Sequence, residues 1–155
     1  MRDVMVHGDL WSANLLWKKT DSGFELGRIV DFQLAHFGCA AEDLTRLLIT
    51  TLSGHDRRAN WDCLLKEFHG YLTTYCGSTE VPYSLDQLKE AYRRFFPFAG
   101  VILLPVIDAV AKIGARKIAD DEKVAIQETL HEKTQALFED MLNFAERNRD
   151  VRISQ

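Results

Sequence analysis

The pattern of apolar residues changes its period near Cys39, and this switch constrains the fold more than any other feature of the chain. From Val4 to about Phe37 the apolar residues come in short runs separated by turn formers. Val4-Met-Val is one such run. Leu15-Leu-Trp17 and Leu26-Gly-Arg-Ile-Val30 flank the segment 18–25, which holds Asp21-Ser-Gly23. Two apolar runs around such a turn predict a β-hairpin. Beyond Cys39 the apolar residues recur at steps of three and four, the period of a helix buried on one face. The chain is therefore expected to be α+β and mainly α, with a small hairpin sheet packed on a helical body.

Several helices follow from this spacing. Glu42 to Leu52 is the first, closed by Ser53-Gly54. Trp61, Leu64, Leu65, Phe68, Leu72 and Tyr75 line one face of the second, with Asn60 expected as its N-cap and Gly77 just past its end. Ser84 and Gln87 have the spacing of a capping box and open a helix through Leu88, Ala91, Tyr92 and Phe95, which Pro97 and Pro105 are expected to break or kink. Leu130, Leu137, Phe138, Met141, Leu142 and Ala145 stripe a long last helix, with Val151–Ser154 fraying before Gln155.

Composition narrows the function classes. The 155 residues are 46% hydrophobic and 27% charged, enough for one globular core, and a net charge of −4 is not the basic footprint of a general nucleic-acid binder. Cys39, Cys63 and Cys76 lie far apart, which reads as reduced thiols of a cytosol-like compartment. The most apolar stretch, Phe95 to Ile107, is 13 residues long, against the roughly 20 a membrane span needs.

The chemistry concentrates at the front, in Val6-His-Gly-Asp-Leu-Trp-Ser-Ala-Asn14 and Ile29-Val-Asp-Phe-Gln33. His7, Asp9 and Asn14 fit H-x-D-x-x-x-x-N, and Asp31 follows on a second apolar strand. A carboxylate such as Asp9 can orient or deprotonate an attacking hydroxyl. The amide oxygen of Asn14 and the carboxylate of Asp31 are the hard donors Mg²⁺ takes beside nucleotide phosphates. Chance produces the spacing in about one shuffled chain in a hundred, so it outweighs the bland alternative of a capping Asp, a turn Asn and a core His. A metal-dependent hydrolase using His7 and Asp9 would need further close ligands, and His36, His55, His69 and His131 show no such spacing.

His7-Gly-Asp-Leu-Trp-Ser-Ala-Asn14, Ile29-Val-Asp-Phe-Gln33 and Gly38-Cys-Ala-Ala-Glu-Asp-Leu44 resemble the catalytic core of the choline-kinase-like and aminoglycoside-phosphotransferase group. The nearest likeness is to its CHK kinase-like branch, which includes ecdysteroid-kinase-like and nematode proteins. The likeness is dense over residues 4–48 and diffuse beyond. It implies the C-terminal lobe of a protein-kinase-like fold over residues 1–155 and transfer of the ATP γ-phosphoryl group to a small-molecule hydroxyl. Asp9 would be the catalytic base, with Asn14 and Asp31 holding Mg²⁺ and ATP. His7 would support the loop through its ring, and Asp43 resembles an aspartate that braces it, while reading equally as an ordinary helix-start carboxylate that favours the macrodipole. Gln33 stands where protein kinases keep Gly. A cytoplasmic protein with neither nucleic acid nor membrane as partner is implied.

Such kinases also use a smaller lobe with a Gly-rich loop and a strand lysine. Only six residues precede His7, and no G-x-G-x-x-G or G-x-x-x-x-G-K-[ST] occurs. The chain is thus expected to be a fragment, truncated gene model or degenerate paralogue, weak or inactive as a kinase, or else a non-catalytic kinase remnant acting through contacts. Apolar surface is expected to lie open near Leu15, Leu16 and the start of the chain. Trp17 and Trp61 read as core, and Trp11 as either substrate-stacking or packed under its loop. Arg57-Arg58, Arg93-Arg94, Arg147, Arg149 and Arg152 read as solvated charges. Tyr92, Phe95, Phe96 and Phe98 read as core ahead of an acceptor pocket.

Overall fold

In a computed structural model that describes residues 1–115 and 120–153, the chain is α+β and mainly helical. Strands β1 (Val4–Val6), β2 (Leu15–Thr20), β3 (Gly23–Ile29) and β4 (His36–Gly38) precede helices α1 (Ala41–Thr51), α2 (Gly54–Cys76), α3 (Leu85–Ala115) and α4 (Asp120–Ile153). The strands form two separate antiparallel ribbons. β1 pairs with β4, Val6 opposite His36, and β2 pairs with β3, Leu15 opposite Ile29 and Thr20 opposite Gly23. The register shifts between Leu16 and Trp17, leaving Gly27 as the extra residue of a bulge.

The turn at Asp21-Ser22 closes the expected hairpin, but the hairpin does not bury its side chains. Trp17 is 57% exposed, against its expected place in the core. A two-stranded ribbon buries an aromatic only where another layer covers it, and none covers Trp17. Leu16, Phe24, Leu26 and Met5 are exposed as well, so apolar surface does lie open near Leu16 and the start of the chain.

α3 is the central helix, packed on α1 and α4. Its Leu88, Tyr92, Phe96 and Leu103 are buried with Leu48, Ile49, Leu65 and Leu137. Trp61 stacks on Tyr92 at 5.2 Å, and Phe96 meets Phe144 at 4.9 Å. The expected break at Pro97 or Pro105 does not occur, since both lie inside the helix. Each proline costs a hydrogen bond, but burying residues such as Phe96 and Leu103 returns about 1.5–3 kcal/mol apiece.

The capping box at the start of α3 is reciprocal. Ser84 N–H donates to Gln87 Oε1 at 2.9 Å, and Gln87 N–H to Ser84 Oγ at 3.2 Å. α2 starts earlier than expected. Its N-cap is Ser53, whose Oγ accepts Asp56 N–H at 3.0 Å, and Asn60 lies within the helix. One serine thus follows α1 and opens α2.

α4 also departs from its expected stripe. Ala136, Leu137 and Asp140 are buried, while Phe138 and Leu142 face solvent. The helix runs through Ile153 rather than fraying at Val151, and Ser154 and Gln155 lie outside the described residues. Arg57 was expected in solvent and is 1% exposed. Its Nη2 and Nε donate to Asp140 Oδ2 at 2.7 and 3.2 Å, and Arg58 takes the other carboxylate oxygen.

Candidate functional site

The site is built on the loop between β1 and β2 and on the short turn after β3. Val6, 1% exposed, ends β1 and anchors the loop. His7 and Gly8 follow, and Gly8 adopts φ +79°, a conformation in which an added Cβ would collide with the Leu34 carbonyl. Only glycine fits there.

Asp43, in the first turn of α1, grips this turn. Its Oδ2 accepts His7 N–H at 2.6 Å and its Oδ1 accepts Gly8 N–H at 3.0 Å. The buried His7 ring accepts Asp9 N–H at Nδ1 (3.3 Å), which assigns the ring's single N–H to Nε2, donating to the Val30 carbonyl at 2.8 Å. The ring therefore ties the Asp9 loop to the residue before Asp31. Phe32 packs on it at 4.6 Å.

Asn14 sits in a 3-10 turn, 7% exposed. Its Nδ2 donates to the Asp9 carbonyl at 2.9 Å and lies 3.4 Å from Asp9 Oδ2. With the amide nitrogen so engaged, Oδ1 is the oxygen left for a cation. The Asn14 carbonyl accepts Val30 N–H at 3.0 Å, which sets Asn14 beside the strand end that delivers Asp31. Asp31 is exposed and has φ +67°, the one non-glycine with positive φ among the described residues. A strained backbone of this kind persists where the surroundings fix it. Gln33 Nε2 lies 3.5 Å from Asp31 Oδ2.

Asp9 and Asn14 thus share the β1–β2 loop, joined by the Asn14 side chain, and the Asn14–Val30 backbone bond together with the His7 ring holds the residue before Asp31 beside them. The amide oxygen of Asn14 and the carboxylate of Asp31 are hard donors. Donors of this kind could hold Mg²⁺, which keeps waters and phosphates among its ligands. Among the described residues no cluster of three His, Cys, Asp or Glu forms a closed metal cage.

Sequence reasoning passed over Arg46. Its Nη1 donates to Asp9 Oδ1 at 2.7 Å. The available signal was its place three residues after Asp43, hence on the same face of α1. Trp11 is half-buried and supplies a carbonyl to Asn14 N–H. Tyr92 and Phe96 are core, and Phe98 is 64% exposed, so the aromatic group does not assemble as a pocket. Arg147 reaches Glu90, while Arg149 keeps to its own helix. Burial pushes the Cys39 thiol above its ordinary range, away from reactivity, and all three cysteines are free. His69 is satisfied by the Tyr83 carbonyl at 3.0 Å. Among the described residues no helix is long and apolar enough to cross a membrane.

No solved structure matches the chain. A Caenorhabditis elegans protein named "Uncharacterized kinase-like protein D1044.1" is 31% identical over 147 residues, covering 89% of this chain and 37% of that protein. Another from the same organism, "Uncharacterized oxidoreductase dhs-27", is 34% identical over 129 residues, covering 79% of this chain and 15% of that protein. The chain therefore spans well under half the length of either relative. Residues 1–149 match the DUF1679 family, described as "Uncharacterized oxidoreductase dhs-27", and the chain belongs to that family.

Proposed function

We propose that the chain is the catalytic-loop lobe of a small-molecule kinase, a phosphotransferase that moves the ATP γ-phosphoryl group to a substrate hydroxyl. The observation that carries this reading is the Val30 N–H bond to the Asn14 carbonyl at 3.0 Å, which draws Asp31 to the Asp9–Asn14 loop. Asp9 orients the acceptor hydroxyl and takes its proton as the oxygen bonds to the γ-phosphorus and ADP leaves. Asn14 Oδ1 and the Asp31 carboxylate would hold Mg²⁺, which when bound neutralises phosphate charge. His7 and Asp43 keep the loop in place. The name of one relative, kinase-like, agrees with this chemistry. The oxidoreductase name belongs to a protein of which the matched stretch is 15%, and the dinucleotide fingerprint G-x-G-x-x-G does not occur in this sequence. The free cysteines suit a reducing, cytoplasmic setting.

The sequence holds no Gly-rich loop to cover the phosphates, so this chain by itself is expected to bind Mg-ATP weakly and to transfer phosphate slowly or not at all. The test is calorimetry of Mg-ATP binding to the purified chain, with Asp31→Ala as control. Binding that needs Mg²⁺ and disappears in the variant supports the reading. A folded chain, verified by circular dichroism, that shows no Mg²⁺-dependent binding would favour a non-catalytic contact module. The exposed Met5, Trp17, Phe24 and Leu26 are the surface such a module would use.

A further inference from the structure

Arg46 is a charged group inside the site to which phosphoryl transfer assigns no task. Its guanidinium and the Asp9 carboxylate are 21% and 23% exposed and meet at 2.7 Å. Asn14 approaches the other Asp9 oxygen at 3.4 Å. Among the described residues nothing else engages the Arg46 guanidinium, and none of its nitrogens is buried without a partner. The nitrogens of the fork that do not bind Asp9 therefore keep some contact with solvent. Asp43 is committed to the backbone N–H groups of His7 and Gly8, whereas the exposed Asp31 carboxylate has Gln33 Nε2 at 3.5 Å.

This arrangement has two consequences for an alcohol approaching Asp9. A cationic alcohol finds the Asp9 carboxylate already paired, so it gains no counter-charge there. An alcohol with a carboxylate or phosphate next to its hydroxyl can set that anionic group on the free edge of the fork while the hydroxyl meets Asp9. A planar guanidinium can serve both acceptors at once. We propose that Arg46 determines specificity at this site, selecting alcohols that carry an anionic oxygen group beside the reacting hydroxyl over cationic alcohols. The inference rests on the reading of Asp9 as the group that receives the acceptor hydroxyl.

Glycolate and choline are suitable probes, small alcohols of opposite charge. Each is titrated into the isotope-labelled chain while the Asp9 carboxyl carbon and Arg46 Nε signals are followed. Glycolate should bind at least about tenfold tighter than choline, the size expected of one hydrogen bond to a charged donor. The preference should fall to near parity in Arg46→Gln and survive in part in Arg46→Lys. Equal or tighter binding of choline, or an unchanged preference in Arg46→Gln, overturns the proposal. If that variant does not fold, the wild-type Arg46 Nε signal still decides, because it must move with glycolate and stay with choline. Glycolate preference without Mg-ATP binding would remove the kinase reading and keep the role of Arg46. Mg-ATP binding without the preference would do the reverse.

Discussion

The carboxylate of Asp43 accepts the backbone N–H of His7 at 2.6 Å, across 36 residues of sequence, and its second oxygen takes Gly8 N–H at 3.0 Å. One helix residue thereby fixes the turn that presents Asp9. Hydrogen bonds to a charged acceptor contribute about 1.5–3 kcal/mol each, so Asp43→Ala should destabilise the chain by about 2–4 kcal/mol. Asp43→Asn keeps one acceptor oxygen and should fall between. Urea unfolding measures the loss, and amide exchange at His7 and Gly8 should speed up first. Unchanged exchange at both amides would show that Asp43 does not hold the loop.

Gly8 offers a sharper contrast because the same chemical change has opposite signs at two glycines. At Gly8 an added methyl meets the Leu34 carbonyl and the backbone has φ +79°. Gly8→Ala should cost more than about 2 kcal/mol. Gly70 is exposed inside α2 with nothing near its missing Cβ. Gly70→Ala should stabilise by about 0.5–1 kcal/mol, through helix propensity alone. Thermal unfolding of the two variants side by side is the measurement. A neutral Gly8→Ala would contradict the turn geometry.

What the sequence discloses is what short range determines. The Asp21-Ser22 turn, the Ser84–Gln87 capping box and Gly77 after α2 depend on neighbours a few residues away, and each is found where its pattern predicts. The earlier start of α2 escaped because Ser53 can end one helix and cap the next, and the pattern shows only the first role. Trp17 carries an apolar signal, but burial depends on a covering layer that no local pattern encodes. Arg57 looks like a surface charge because its partner Asp140 lies 83 residues away. The same limit applies to the site. Linear spacing picks out His7, Asp9 and Asn14, whereas the approach of Asp31 through Val30 and the pairing of Arg46 with Asp9 exist only in three dimensions.

Arg57 and Asp140 make the helical body sensitive to a single change. Arg57 is 1% exposed, lies 5.4 Å from the centre of the Phe96 ring, and relies on Asp140 for both of its strong bonds. Asp140→Ala leaves that guanidinium buried without a counter-charge and should cost about 3–5 kcal/mol. Replacing both residues together, Arg57→Met with Asp140→Leu, should cost less than Asp140→Ala, because no charge is then stranded. Denaturant midpoints of the single and double variants test this ordering. A double variant less stable than the single one would mean that the pair adds more than its desolvation costs.

Glu90 links stability to pH. Arg147 donates to both of its oxygens, at 2.9 and 2.6 Å, and Arg94 to one at 2.8 Å. The Arg147 bonds, opposed by partial burial and helped by Arg94, hold its carboxyl down to about 2, below the ordinary 4.5. The unfolded chain therefore binds this proton more readily between those two values, and folding is favoured as pH rises through that window. The contribution is complete above about pH 5 and is lost as pH falls toward 2. Glu90→Gln should lower stability near neutral pH, and its deficit relative to wild type should shrink through that window and close near pH 2. Urea unfolding of both proteins from pH 2 to 7 supplies the comparison, in which only the difference matters because other carboxylates titrate in the same range. A deficit that stayed constant with pH would mean that Glu90 acts by packing its stem rather than by its charge.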